Sequence, residues 1–186
     1  MNRLKFAIAL VVLALGLAGA VQAQKPAAAP AGPVVVFETV KGTFEIEMFQ
    51  AEAPKSVALF LDLVRNGFYR GLRFHWSQPG LIQVGDPTSR DMSRMDSWGN
   101  AASSRSVGVA EISKRKFEKG IVGLAYREGQ KPTAASSQIF ILRAPNPKQE
   151  GKYAAIGRVI AGMNVVEKIE KPDMVKQAYV KGETPK

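Results

Sequence analysis

The chain has 186 residues and a formal net charge of +10, with 46% hydrophobic residues, no cysteine and a single histidine. This length suits one folded domain with terminal extensions, and the hydrophobic fraction argues against a disordered chain. The composition excludes disulfides, thiol nucleophiles and multi-histidine zinc sites, and no phosphate-binding or dinucleotide-binding glycine motif is present. We therefore expect no metal and no cofactor. The basic residues are scattered, which favours a solvated surface over nucleic-acid binding.

The N-terminal segment 1–23 has the pattern of a signal peptide. Arg3 and Lys5 precede an apolar run over Phe6–Leu17, and Val21-Gln22-Ala23 offers small residues where a signal peptidase cleaves. An uncleaved membrane anchor is the alternative, but the apolar run is shorter than the roughly 20 residues that span a bilayer. We therefore expect cleavage after Ala23, a periplasmic or secreted location, and no stable membrane insertion afterwards.

Residues 24–33 read QKPAAAPAGP, and a stretch of proline, alanine and glycine cannot build a core. We interpret this segment as a linker, with the folded domain spanning 34–186. The domain opens with a predicted hairpin over Val34–Phe49, which turns at Lys41-Gly42 and alternates apolar and charged residues in its second half.

A helix is predicted from Pro54, which fits a first helical turn, to Asn66-Gly67, which is typical of a helix end. Its apolar stripe has helical spacing and consists of Val57, Phe60, Leu61 and Val64. Short strands follow, separated by turns and by a long polar loop over Asp86–Ser106. The predicted strands are Leu72–Trp76, Leu81–Val84, Ile121–Tyr126, Gln138–Leu142, Tyr153–Val159 and Gln177–Lys181. A second short helix is predicted over Met163–Ile169, before Pro172. Many short strands with two helices suggest a mainly β, closed barrel with helical caps.

Six motifs in this order resemble the cyclophilin family, and the resemblance spans about 34–169. They are Ala53-Pro54-Lys55-Ser56-Val57, Phe68-Tyr69-Arg70-Gly71 with Phe74-His75, Pro79-Gly80 with Gln83 and Gly85-Asp86-Pro87, Gly123-Leu124-Ala125, Ser136-Ser137-Gln138-Ile139-Phe140-Ile141, and Ile156-Gly157-Arg158-Val159 with Gly162-Met163-Asn164-Val165-Val166. The resemblance implies an eight-stranded antiparallel barrel with a helix at each end, a side-chain-filled interior and a peptide groove on the outer surface. It also implies a monomeric peptidyl-prolyl cis–trans isomerase that needs no metal or cofactor. Its partners would be proline-containing peptides or unfolded exported proteins.

The resemblance further assigns roles to residues by position. Phe140 would form the floor of a proline pocket and Gln83 would hydrogen-bond the peptide backbone, and these two are the predicted catalytic residues. The predicted substrate-binding residues are Trp76, Leu81, Ile82, Ala125, Gln138 and Tyr153. Ala125 would flank the peptide before the proline, Leu81 or Ile82 would line the pocket wall, Gln138 would support the groove, and Tyr153 would cap the pocket. Without the resemblance, Phe140 would be interpreted as a core residue of its strand.

The chain departs from the family pattern at the residue on which the isomerase activity depends. The family reads phenylalanine-histidine-arginine, whereas this chain reads Phe74-His75-Trp76. Trp76 is expected to stack on a proline ring or to line the groove, but an indole cannot reproduce the charge and the donor fork of a guanidinium. In addition, Gln83 follows Trp76 by seven residues where the family has eight, and Leu81 replaces a pocket phenylalanine.

Five arginines elsewhere are candidates to replace the missing guanidinium, namely Arg73, Arg90, Arg94, Arg127 and Arg143, although surface arginines of this kind are usually solvated. The sequence therefore leaves two main functions open. One is an isomerase whose activity is low because of Trp76, and the other is a non-catalytic proline-peptide-binding chaperone or assembly module on the same fold. A basic surface binder of nucleic acid, membrane or cell-wall polymer has the least support.

Overall fold

The computed structural model describes residues 31–127 and 129–185. The predicted signal peptide and most of the predicted linker lie outside these residues. The described chain contains β1 (Val34–Thr39), β2 (Gly42–Met48), α1 (Pro54–Arg65), β3 (Trp76–Gln78), β4 (Leu81–Val84), β5 (Ile121–Leu124), β6 (Ile139–Leu142), β7 (Ala154–Ala161), α2 (Met163–Val166) and β8 (Val175–Val180), with short 3₁₀ turns between them. A search of this part of the chain for a helix of sufficient length and apolarity to cross a bilayer finds none.

The eight strands form one curled antiparallel sheet in the order β3-β4-β6-β5-β7-β2-β1-β8. The predicted mainly β, antiparallel architecture is therefore confirmed. The two edges of the sheet meet at an isolated bridge between Arg73 and Met174. The barrel is thus closed by one bridge and not by a full pair of strands, because the chain turns at Gly71, where φ is 77°, and regular pairing begins only at Trp76. The predicted strand over Leu72–Trp76 is accordingly too early.

The interior of the curled sheet is filled by side chains. Phe37 stacks on Phe44 with ring centroids 5.2 Å apart, and Phe60 of α1 lies 6.4 Å from Phe37. The predicted apolar stripe of α1 is buried along its length and covers one end of the sheet. Because this interior is packed to the density of a core, a peptide can reach the barrel only at its outer surface.

The second helix is shorter than predicted and ends at Val166 instead of Ile169. The guanidinium of Arg143 explains this end. It donates to the carbonyl oxygen of Val166 from Nε at 3.1 Å and from Nη2 at 3.0 Å, and it also donates to the carbonyl oxygen of Ile169. Carbonyls at a helix C-terminus need partners from outside the helix, and here one arginine from β6's C-terminal side supplies them.

The last three residues of the predicted linker contact the barrel. The amide of Ala31 donates to Glu47 Oε1 at 2.6 Å, and the amide of Met48 donates to the carbonyl oxygen of Pro33 at 2.8 Å. Glu47 is almost fully buried and is also bonded by Arg158, whose Nε lies 2.7 Å from Glu47 Oε2. Residues before the predicted domain start at Val34 are therefore already part of the folded structure.

Candidate active site

A row of residues crosses the outer face of four neighbouring strands. Trp76 of β3 lies opposite Gln83 of β4, Gln83 lies opposite Phe140 of β6, and Phe140 lies opposite Gly123 of β5. Directly paired residues of an antiparallel sheet project to the same face, so Trp76, Gln83 and Phe140 are brought together. A Cβ atom on Gly123 would lie 2.0 Å from Phe140 Cζ, which shows that the far end of the phenylalanine ring lies directly against this glycine. The shortened Trp76-to-Gln83 hairpin therefore still places Gln83 in the row.

Aromatic rings surround Phe140 on the outer face. The Phe117 ring lies 6.2 Å away, and the Tyr153 ring meets Phe140 edge-on at 5.2 Å and 81°. Tyr153 in turn contacts the ring of Tyr126 at 4.9 Å. The other members of this outer cluster are Phe49, Leu81, Ile121, Ala125, Leu142 and Ala155. Three predicted substrate-binding residues, Leu81, Ala125 and Tyr153, are thus assembled with Phe140 in one apolar cluster outside the barrel core.

Ile82 does not belong to this surface. It is fully buried and packs with the interior core, whereas its neighbours Leu81 and Gln83 project outward. Successive residues of a strand point to opposite faces, so Leu81 and Ile82 could not both line the outer pocket. Of the two residues offered for the pocket wall, the structure places Leu81 there.

Two glutamine side chains form a hydrogen-bonded pair beside Phe140. Gln138 Nε2 donates to the carbonyl oxygens of Gly99, at 2.9 Å, and Ala101, at 2.7 Å. Because both donors of its amide are used, Gln138 Oε1 must accept, and Gln83 Nε2 donates to it at 2.6 Å. Within the described chain no donor reaches Gln83 Oε1, so Gln83 offers the groove a carbonyl oxygen with a fixed orientation.

We expect Gln138→Glu to weaken the binding of a proline peptide about tenfold, because a carboxylate cannot donate to the two loop carbonyls and would turn Gln83 out of position. Titration of a labelled proline peptide by fluorescence measures this loss. Gln50→Glu makes the same chemical change at an exposed position between β2 and α1 and should leave the affinity unchanged. Equal affinities for all three proteins would contradict a positioning role for Gln138.

Asp86 fixes the loop to which Gln138 is bonded. Its carboxylate is fully buried and accepts from Thr88 N at 2.7 Å, Thr88 Oγ1 at 2.6 Å, Gly99 N at 2.6 Å and Ala101 N at 3.1 Å. Burial alone would raise the pKa of this carboxyl, but the hydrogen bonds from Thr88, Ala101 and Gly99 outweigh it and hold the pKa below its usual value. The predicted long loop over Asp86–Ser106 therefore folds against the barrel instead of extending into solvent.

A groove of about 440 Å³ lies between this loop and the outer face of the sheet. The residues that line it are His75, Trp76, Gln83, Trp98, Gly99, Asn100, Tyr126, Arg127 and Gln138. Half of the Trp76 surface is exposed there. Burial lowers the pKa of His75 to about 4, so this histidine is uncharged at neutral pH. In the described residues no three His, Cys, Asp or Glu side chains are grouped to hold a metal ion.

The structure separates the five arginines considered as replacements. Arg143 is bonded to the carbonyls after α2, and Arg90 Nε donates to the carbonyl oxygen of Arg70 at 3.2 Å. Arg73 Nη1 donates to the carbonyl oxygen of Pro172 at 3.2 Å, and Arg94 is exposed and does not line the groove. Arg127 alone among the five lines the groove.

Sequence reasoning missed the contribution of Trp98. Its indole Nε1 donates to the carbonyl oxygen of Asp91 at 3.1 Å, which holds the ring against the groove, and Lys171 Nζ lies 5.5 Å from the ring centroid. A tryptophan followed by glycine in a polar loop indicates a packed loop, and Trp98 is nearly buried in the structure. The neighbouring sequence does not indicate which surface this side chain covers.

Comparison with known proteins identifies relatives along the domain. The model of the family described as cyclophilin type peptidyl-prolyl cis-trans isomerase matches residues 34–185. A probable peptidyl-prolyl cis-trans isomerase of Brucella suis is 35% identical over 179 residues, which cover 94% of this chain and 88% of the relative. A peptidyl-prolyl cis-trans isomerase-like 1 protein of Aspergillus fumigatus is 33% identical over 144 residues, covering 73% of this chain and 80% of the relative.

Solved structures show the same architecture. A cyclophilin-type isomerase of Cryptosporidium parvum, crystallised in the presence of the dipeptide Ala-Pro, superimposes with a TM-score of 0.69 at 26% sequence identity, over 81% of this chain and 99% of that one. The match extends over nearly the whole of that chain, so the curled sheet and its helices form one shared fold.

Proposed function

Because the chain belongs to the cyclophilin-type peptidyl-prolyl cis–trans isomerase family, we propose that it binds proline-containing peptides at its outer face and isomerises their X–Pro bonds there. The observation that carries this proposal is the paired row of Trp76, Gln83 and Phe140 on the outer face. The row combines an apolar ring with an oriented amide next to a groove. The structural relative crystallised in the presence of Ala-Pro lends support to a proline-containing ligand.

The proposed chemistry requires binding and positioning by the residues of the row. Rotation about a peptide bond faces a barrier of about 18–20 kcal/mol because amide resonance is lost in the twisted form. The aromatic cluster around Phe140 would hold the proline ring away from water. The free Oε1 of Gln83 would accept an N–H of the peptide backbone. A site that grips the chain on one side of the X–Pro bond and the ring on the other can favour the twisted amide over both planar forms.

The rate enhancement is proposed to be low. A guanidinium that donates toward the prolyl nitrogen would stabilise the twisted amide, and in this chain Trp76 occupies that place in the family motif. The indole has one N–H and no charge, so it supplies apolar contact but little stabilisation of the developing lone pair. The half-exposed ring of Trp76 is therefore assigned to binding the peptide.

The N-terminal pattern supports an exported protein that acts on clients outside the cytoplasm. Arg3, Lys5 and the apolar run before Ala23 are the features that carry this part of the proposal. Its clients would be unfolded exported proteins whose prolyl bonds are still exposed, and the function would be assistance to their folding in the periplasm or outside the cell.

The second candidate function is a binding module without significant catalysis. Trp76 favours it, because loss of the catalytic guanidinium with retention of Phe140, Gln83 and Ala125 would leave the affinity for proline peptides while removing most of the rate. Such a protein would act as a chaperone or an assembly partner. The two functions share one site, so only the ratio of rate to affinity separates them.

Phe140→Leu tests the proposed site. We expect the affinity for a proline tetrapeptide to fall about tenfold or more, because a smaller, non-aromatic side chain would no longer fill the space over Gly123 or contact the proline ring. Exchange spectroscopy of the cis and trans peptide signals measures the rate, and a titration on the same samples measures the affinity. Phe44→Leu makes the same change in the barrel interior and should lower stability without altering affinity. If neither wild-type binding nor catalysis is detected, the proposed function is wrong.

A further inference from the structure

The groove next to the Phe140 cluster combines aromatic side chains with the cationic side chain of Arg127. Trp76, Trp98 and Tyr126 provide the aromatic surface, and of the lining residues that the structure describes, Arg127 alone is charged at neutral pH, since buried His75 is neutral there. Among residues 31–127 and 129–185, no acidic side chain lines the groove. Arg127 is itself exposed, so an ion pair with it would be partly screened by water, and the aromatic side chains beside it would mainly add contact surface for a ligand.

Within the part of the chain that the structure describes, the fold does not use the guanidinium of Arg127. It makes no hydrogen bond or ion pair with any side chain or carbonyl in residues 31–127 and 129–185, and only its backbone carbonyl is used, by the amide of Gln130 at 3.0 Å. Arg143 and Arg90, in contrast, have their guanidinium groups bonded to backbone carbonyls. An arginine that stabilises no fold contact yet faces a groove is a candidate for ligand recognition.

Arg127 and Phe140 would contact different residues of a bound peptide. Phe140 does not line the groove, and Arg127 does not belong to the Phe140 cluster. The chain continues β5 beyond Gly123, and the amide of Ala125 still bonds the carbonyl oxygen of Gln138 at 2.8 Å before the chain reaches Arg127. Arg127 is therefore up to about 14 Å along the chain from the glycine beneath the Phe140 ring, a span of a few extended residues.

We propose that this groove selects peptides with an acidic side chain two or three residues from the proline, with Arg127 as the counter-ion. The inference rests on the proposed function, because it requires the proline to occupy the Phe140 cluster. A carboxylate can accept two parallel hydrogen bonds from one guanidinium, so Arg127 alone would be sufficient to pair with it. The flanking Trp76 and Tyr126 rings would contact the peptide backbone and the aliphatic part of the acidic side chain.

Paired peptides test the proposal directly. Each peptide contains one proline. The two members of a pair differ only in having Glu or Gln at the second or third residue before or after that proline. Dissociation constants are measured by fluorescence anisotropy of an attached label. We expect one Glu peptide to bind the protein about threefold to fivefold more tightly than its Gln partner at low salt, which is the range of a partly exposed ion pair. This ratio should fall toward one at high salt, because ions screen the charges.

Two variants identify the counter-ion. Arg127→Gln should reduce the Glu-to-Gln ratio to about one, chiefly by weakening binding of the Glu peptide, whereas Arg94→Gln, which removes an exposed arginine outside the groove, should keep the wild-type ratio. Equal binding of every Glu and Gln pair by the wild-type protein would overturn the proposal, as would a ratio that persists in Arg127→Gln. The two proposals can fail separately. If the wild-type protein binds Glu and Gln peptides equally and Phe140→Leu loses all peptide binding, the acidic selection is rejected and the proposed function stands.

Discussion

Replacement of Trp76 by arginine is expected to raise kcat/KM for a proline tetrapeptide about 100-fold, the scale on which a single positioned donor acts in a transition state. Trp76 lies opposite Gln83 on the outer face, so an arginine there would project over the same surface as the peptide. Half of the tryptophan surface is exposed, so the substitution should change the free energy of unfolding by no more than about 0.5 kcal/mol. The rate of cis–trans exchange, measured with the wild-type protein and the variant at equal concentration, gives the result.

Two controls separate the role of the guanidinium from that of added charge. Ile160→Arg adds the same side chain on β7 at a residue that is 39% exposed, and it should leave the rate unchanged. Trp76→Lys supplies charge without the planar fork and should recover only a small part of the gain. A wild-type rate already equal to that of Trp76→Arg would mean that another group stabilises the twisted amide. Arg127→Gln would then be the variant that loses activity.

Replacement of Asp86 by alanine is expected to lower the free energy of unfolding by about 3–4 kcal/mol, because buried amides of Gly99 and Ala101 lose their acceptor. Peptide affinity should fall as well, since the carbonyls of these two residues orient Gln138. Urea denaturation followed by tryptophan fluorescence measures the stability. The folded-state pKa of Asp86 is depressed below 3.8, so its ionised form stabilises the fold above that pH and this contribution is lost as the pH falls through the folded-state pKa.

Asp91 provides the matched control for Asp86. It makes the same type of turn contact, accepting from Ser93 N at 2.9 Å and Ser93 Oγ at 2.6 Å, but the residue is exposed. Asp91→Ala should therefore cost only about 1 kcal/mol, as a solvent-exposed cap does. Similar losses in the two variants would show that Asp86 is not the anchor of the loop.

Much of the candidate site could be predicted because the family motifs fall on regular strands. Once Phe140 is assigned to the outer face of β6, its partners Gln83 and Gly123 follow from antiparallel pairing. For the wall of the pocket, the sequence does not distinguish Leu81 from Ile82. A strand shows its odd and even residues to opposite sides, but which side faces the core depends on the pairing of the whole sheet.

The loop contributions could not be predicted, since they depend on residues distant in sequence. Glu111 accepts from the amides of Lys55 at 3.0 Å and Ser56 at 2.7 Å, and so caps α1 from 55 or more residues away. The first turn of α1 contains no acidic residue, so the sequence of the helix gives no sign of this cap. Trp98 likewise reaches the groove only because Asp86 bonds the following loop residues.

The amino-acid sequence is enough to establish the alternation of the strands, the apolar stripe of α1, the order of the family motifs and the presence of Trp76 where the family has arginine. These are local properties, because side-chain periodicity and residue identity do not depend on distant contacts. The folded chain is needed to show that Ile82 faces the core, that Gln138 orients Gln83, and that Arg127, of the five arginines, lines the groove. Each of these features depends on contacts between segments that are distant in sequence. Such contacts are determined by the burial of apolar surface and by the pairing of backbone groups across the whole barrel.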